Sequence, residues 1–204
     1  MRAWIYDRLF KGLSSHWYKY VIEYLPRQAR VLDVGIGTGS SLFSQFELIK
    51  KKEMSWLGID INDNYLKACQ EEITQQNASD YIKVKTQSIY DLDETDKLDA
   101  IYFSASFMLL PDQKNALLIA MQSLKDDGVI CFTQTFETRI TPIMEVVKPL
   151  LKKITTVDFG VVTYEEPFLQ LLSECGLVPI HNEVMGTQGP REMRIIVAKL
   201  ATTD

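Results

Sequence analysis

The chain has 204 residues, 46% of them hydrophobic and 24% charged, a size and balance that suit one globular domain (1–204) with a sizeable core and one active site. A formal net charge of −5 offers no general attraction to nucleic-acid phosphates or anionic membranes, so neither is expected as a partner. Cys69, Cys131 and Cys175 form no CxxC pair, no stretch reaches the roughly 18 apolar residues of a membrane span, and the first residues lack an export signal; a reduced, cytoplasmic protein is expected.

From Arg2 to Leu25, apolar residues recur at spacings of three and four, which predicts two amphipathic helices broken near Gly12 to Ser15 and ended by Pro26. Residues 1–25 are read as a helical lid. Short apolar runs then alternate with helical patterns: RVLDV, SLFSQFELIKKK, SWLGID, NYLKACQEEITQQ, YIKVKT, KLDAIYFS, KNALLIAMQSLK and GVICFTQ. Strict alternation predicts a mainly parallel sheet with helices on both faces. Residues 135–165 break the pattern and read as an insertion over the active-site end. PFLQLLSEC then gives a helix stopped by Gly176, and LVPIHNEVM and EMRIIVAKL give two closing strands around the loop GTQGPR. So short a connection makes that pair antiparallel.

The strongest local signal is Val31 to Gly39, VLDVGIGTG, in which an apolar strand carrying Asp33 runs into glycines at every second position and then a helix. Gly35, Gly37 and Gly39 can take positive φ and bring main-chain amides against a ligand. A dinucleotide site wants GxGxxG; this order is GxGxG, and a carboxylate before the turn repels a pyrophosphate and suits a cation. Asp60 closes the second strand roughly twenty residues on, where an acid can accept hydrogen bonds from both hydroxyls of a ribose.

These residues resemble the class I S-adenosylmethionine-dependent methyltransferases: VLDVGIGTG is similar to their first motif, Asp60 to their ribose acid, and QSIYDL (87–92) to the region that frames adenine. The resemblance implies a Rossmann-like, doubly wound, seven-stranded, mainly parallel α/β sheet with an antiparallel C-terminal strand. It implies S-adenosylmethionine as cofactor, with S-adenosylhomocysteine as product. Gly35, Ile36, Gly37, Thr38 and Gly39 would meet its methionine part, with Asp33 near the amine. Asp60 would hold the ribose, Ile61 pack on adenine, and Ser88 and Ile89 frame the base; the family often has an aspartate at Ser88, and Asp91 is the alternative. Ser104, ending the fourth strand, falls where cofactor and acceptor meet. No Asn-Pro-Pro-Tyr tetrad follows it, which argues against exocyclic DNA amines and protein glutamine as targets.

Acceptor walls are expected from the lid, SASFMLL, TQTFETR and the loop before the last helix, which supply Trp4, Tyr6, Phe107, Met108, Phe136, Arg139 and Tyr164. Phe107 to Leu110 also read as core, Arg139 as an exposed arginine, Arg191 as a solvated loop residue and His181 as structural. Two histidines and scattered cysteines support no metal site. YDRLF, WY near Trp17, LDVGIGTG, YFSASFMLLPD, FTQTFE, KPLL and DFGVVTYEE are together similar to a narrower group: methyltransferases that complete ovothiol synthesis by methylating an imidazole nitrogen of 5-thiohistidine. In that reading Arg139 meets the acceptor carboxylate, Glu137 or Asp158 its ammonium, and Tyr6, Tyr164 or His16 orients the ring. A phosphobase, a quinone precursor or a phenol is the alternative acceptor, and a silent S-adenosylmethionine-binding partner protein is the alternative class. Whether the chain is a monomer or a homodimer is left open by the sequence.

Overall fold

The computed structural model describes residues 15–93, 96–138 and 163–201. Helix α1 (15–24) is followed by β1 (Arg30–Val34), α2 (Ser40–Phe43), α3 (Phe46–Lys52), β2 (Ser55–Asp60), α4 (Asp63–Gln75) and β3 (Ile82–Thr86). After a 3-10 turn (Ile89–Asp91) come β4 (Leu98–Ser104), a second 3-10 turn (Phe107–Leu109), α5 (Gln113–Ser123), β5 (Leu124–Glu137), α6 (Glu165–Glu174), β6 (Leu177–Gln188) and β7 (Arg191–Leu200).

The seven strands form one sheet in the order β3-β2-β1-β4-β5-β7-β6. Strands β1 to β5 pair in parallel, and β7 runs antiparallel to both β5 and β6. The order reverses between β1 and β4, which leaves a crevice at their carboxyl ends, the usual ligand position in open α/β sheets. Alternation along β1 sends Val31 to one core and Leu32 and Val34 to the other. The first core holds α1 through Val21 and Ile22 and α4 through Leu66 and Ile73. The second takes α5 through Leu117 and α6 through Phe168 and Leu172.

Element ends follow local chemistry. Asn62 caps α4 by accepting from the N–H groups of Asn64 and Tyr65, and Asp112 caps α5 by accepting from Asn115. The stretch SLFSQFELIKKK is two helices rather than one. The Ser44 hydroxyl donates to the Ser41 carbonyl at 2.6 Å and Gln45 reaches across to Ser15 at 2.8 Å, side-chain bonds that compete with a continuous helix.

Three further expectations need correction. Thr135, Phe136 and Glu137 belong to β5, paired with β7, and Glu165 opens α6, so the segment read as an insertion is shorter at both ends. Gly186, Thr187 and Gln188 extend β6, leaving Gly189 and Pro190 as the turn, with Gly189 at φ +59°. Arg191 opens β7 and is no solvated loop residue, because its Nε lies 2.8 Å from the buried carboxylate of Glu137. Among the described residues, no helix is long and apolar enough to cross a membrane.

Candidate active site

The carboxyl ends of β1 to β5 gather most of the residues singled out in the sequence. The glycine turn follows β1, Asp60 and Ile61 close β2, Ser88 and Ile89 lie just after β3, Ser104 ends β4 and Glu137 ends β5.

The glycine turn is held from below. Gly35 and Ile36 donate to the Ile59 carbonyl at 2.8 and 3.2 Å, Gly37 donates to an Asp60 carboxylate oxygen at 3.0 Å, and Gly39 donates to the Ile36 carbonyl at 3.2 Å. These four amides are therefore engaged within the protein. A phosphate would need them free, so the turn does not suit the pyrophosphate of a dinucleotide.

All three glycines have positive φ, for different reasons. A Cβ on Gly35 would lie 2.6 Å from the Ser106 Cβ, and one on Gly39 would lie 2.7 Å from the Cys69 sulfur. A Cβ on Gly37 would meet nothing within 4 Å. Of the three, Gly37 alone has open space where a Cβ would stand. Ile36 turns its side chain back over Gly58, and Ile89 is buried in the second core, so both can offer a ligand only main chain.

Beside this turn stands an acid with spare capacity. Asp60 accepts Gly37 on one oxygen and the Asn62 N–H on the other at 2.8 Å, which leaves a lone pair on each. Its neighbour Ile61 is 79% exposed, an uncovered apolar side chain beside that carboxylate. Ser88 caps the 3-10 turn by accepting from the Tyr90 N–H, and Asp91 is exposed within it.

Asp33 lies beneath the turn, fully buried. One oxygen accepts the Tyr18 hydroxyl at 2.7 Å and the Trp56 indole N–H at 3.1 Å; the other has no partner among the described residues. Burial pushes its carboxyl up to about 7, against the pull of those two hydrogen bonds. Tyr102, its register neighbour on β4, bonds the Thr133 hydroxyl at 2.7 Å. Neither Tyr18 nor Trp56 stands out in the sequence, since each sits in an ordinary apolar pattern.

On the acceptor side, β4 ends level with Thr133, and Ala105 turns away at φ +53° while donating to the Thr133 carbonyl at 2.7 Å. Beyond that point β5 continues beside β7 alone. A cleft of about 690 Å³ opens there, lined by Phe136, Glu137, Thr138, Tyr164, Leu169 and Arg194 among others. Glu137 is 6% exposed; one oxygen takes Arg191 and the other has no partner among the described residues. Phe107 and Phe136 are core residues of an aromatic cluster with Phe132 and Phe168. His16 is exposed on α1, and His181 on β6 bonds Tyr20 at 2.7 Å. Trp4, Tyr6, Arg139 and Asp158 lie outside the described residues.

Three comparisons agree with this geometry. The model of the family described as Methyltransferase domain matches residues 26–162. Malonyl-(acyl-carrier protein) O-methyltransferase of Calditerrivibrio nitroreducens is 29% identical over 136 residues, covering 67% of this chain and 47% of that protein. The chain thus spans about half the length of that relative. In fold it is similar to the (4+2)-cyclase SpnF, with a TM-score of 0.76 at 14% identity over 93% of this chain and 82% of the other. It is also similar to geranyl diphosphate C-methyltransferase from Streptomyces coelicolor, with a TM-score of 0.74 at 12% identity over 92% and 79%. The chain belongs to the Methyltransferase domain family. Its methyltransferase domain is of the kind that takes S-adenosylmethionine, and the open space at Gly37 and the exposed apolar Ile61 fit that cofactor.

Proposed function

We propose that this enzyme methylates a small amino-acid acceptor, 5-thiohistidine, at an imidazole nitrogen to give ovothiol A. The observation that supports an amino-acid acceptor is Glu137, a buried carboxylate at the mouth of the sheet with one oxygen unpartnered among the described residues, placed to receive an ammonium group. The group resemblance carried by YFSASFMLLPD, FTQTFE and DFGVVTYEE supports the ring.

In this reading Asp60 holds the ribose hydroxyls, Ile61 covers one face of adenine, Ser88 and the Ile89 main chain frame its edge, and Asp33 receives the cofactor's ammonium. The main chain of Gly35 to Gly39, with the Thr38 side chain, shapes the methionine pocket, and Ser104 stands where cofactor and acceptor meet. When bound, S-adenosylmethionine would supply an electrophilic methyl group, to which the acceptor's lone pair would bond as the sulfonium S–C pair stays with sulfur. A neutral imidazole nitrogen is already a usable nucleophile, so the protein's work is to align it and exclude water. Glu137 holds the ammonium, with Asp158 as the alternative, Arg139 holds the carboxylate, and Tyr164, Tyr6 or His16 orients the ring.

The test is S-adenosylhomocysteine release with mass detection of product, on purified protein given 5-thiohistidine or histidine separately. Turnover with 5-thiohistidine alone supports the reading. Cofactor binding without turnover on either discards it. Malonyl-carrier protein, suggested by the relative from Calditerrivibrio nitroreducens, and a phosphobase, a quinone precursor and a phenol belong in the same panel, and silence with all of them favours a cofactor-binding partner protein.

A further inference from the structure

Gln134 has a side chain that nothing described so far employs. It lies on β5 between Phe132 and Phe136, is 1% exposed, and among the described residues neither its amide nitrogen nor its amide oxygen has a hydrogen-bond partner. Alternation along β5 puts it on the face of Phe132 and Phe136, where Phe107 and Phe168 pack edge-on. An apolar side chain would satisfy that packing, and a buried amide without partners is among the rarest features of folded proteins.

Its place in the sheet says what the amide is for. Gln134 is the first β5 residue beyond the end of β4, since Ser104 is level with Thr133. On its other side it pairs with Arg194, which lines the cleft together with Phe136 and Glu137. Gln134 thus stands level with the point where β4 stops and beside Arg194 of the cleft lining, with its own amide buried.

We propose that Gln134 orients the methyl acceptor and selects the ring nitrogen that is methylated, an inference that rests on the 5-thiohistidine reading. A primary amide presents a donor and an acceptor side by side. A carboxylate would use only its N–H groups and an ammonium only its oxygen. In 5-thiohistidine a ring carbon bearing sulfur adjoins a ring N–H, and that edge matches both: the ring N–H donates to Gln134 Oε1 and the sulfur accepts from Nε2. The proton is then fixed on the nitrogen beside sulfur, and the lone pair of the other nitrogen is the nucleophile. After transfer the ring carries one positive charge, which it loses by releasing its N–H proton to water.

The test uses the S-adenosylhomocysteine-saturated wild type, with the assigned side-chain amide resonance of Gln134 followed by NMR during titration with 5-thiohistidine and, separately, imidazole. It is paired with kinetics and product analysis of Gln134→Leu. The expected result is a saturable shift of that resonance by 5-thiohistidine, methylation of the wild-type product only at the nitrogen remote from sulfur, and a tenfold or greater fall in kcat/KM with mixed regiochemistry in Gln134→Leu. Its affinity for S-adenosylhomocysteine and its Tm should not fall. Turnover of 5-thiohistidine with an unmoved resonance, or with unchanged kinetics in Gln134→Leu, overturns the role of Gln134 and leaves the proposed function standing. If 5-thiohistidine is not turned over, the proposed function fails on its own; a shift with imidazole then retains Gln134 as an azole-recognising residue, and no shift overturns it.

Discussion

The carboxylate of Asp60 accepts the main-chain N–H of Gly37 at 3.0 Å, so the end of β2 holds the one glycine of the turn with open space where a Cβ would stand. One side chain thus shapes the turn and is the one proposed to hold the ribose. Asp60→Ala is expected to weaken S-adenosylhomocysteine binding by about 2 to 4 kcal/mol, roughly thirty-fold or more, as two or more charge-assisted hydrogen bonds are lost. Isothermal calorimetry checks this, and an affinity within threefold of wild type would remove Asp60 from the site.

Gly35 and Gly37 should separate packing from binding. Gly35→Ala places a methyl group 2.6 Å from the Ser106 Cβ at φ +79° and is expected to cost about 2 to 4 kcal/mol of stability, from overpacking and left-handed strain together. Adding Ser106→Gly should return the packing part and leave the strain. Gly37→Ala, with free space around its Cβ at φ +60°, should cost only about 1 kcal/mol in urea denaturation while weakening cofactor binding at least tenfold.

Asp33 gives the fold an inverted pH dependence. Its carboxyl is raised from 3.8 to about 7, so between those values the folded state keeps a proton that the unfolded chain has shed. Stability from this group is therefore greatest near pH 4 and falls as pH rises toward 7, by about 4 kcal/mol at about 1.36 kcal/mol per pH unit. The stability difference between wild type and Asp33→Asn should fall over that window in urea titrations, and a flat difference would show that Asp33 is ionised throughout.

Tyr18→Phe removes the 2.7 Å bond that draws Asp33 toward its ionised form. The loss should be about 1.5 to 3 kcal/mol at pH 8, where the carboxylate is charged, and smaller at pH 5, where it is neutral. Because Tyr18 lies on α1, the same change should loosen that helix, measurable as faster amide exchange over residues 15–24.

Glu137→Gln keeps the size of the side chain and removes the charge offered to an ammonium. The acceptor KM should rise at least tenfold with cofactor affinity unchanged, and an unchanged acceptor KM would leave Glu137 as no more than the partner of Arg191.

The alternation of strands and helices, the glycine turn and the acid after β2 were legible in the chain because each is a local pattern. Periodicity reports which face is buried, and a positive-φ turn needs glycine wherever it occurs. The break between α2 and α3 was not legible, because it depends on Ser15 meeting Ser44 and Gln45 across the fold. Gln134 did leave a trace, a polar residue within the apolar run ICFTQTF, but a strand pattern cannot say whether such a residue finds a partner.

By itself, then, the sequence determined the class of fold and the order of its elements, since these follow from residue type and spacing along the chain, and its motifs carried the family resemblance that implies the cofactor. The tertiary structure alone decided that four amides of the turn are already bonded, that Asp33 is held by Tyr18 and Trp56, and that Gln134 and Glu137 are buried with atoms to spare. Hydrogen-bond satisfaction and desolvation are set by neighbours that lie far apart in the chain, and they exist only once the sheet has brought those neighbours together.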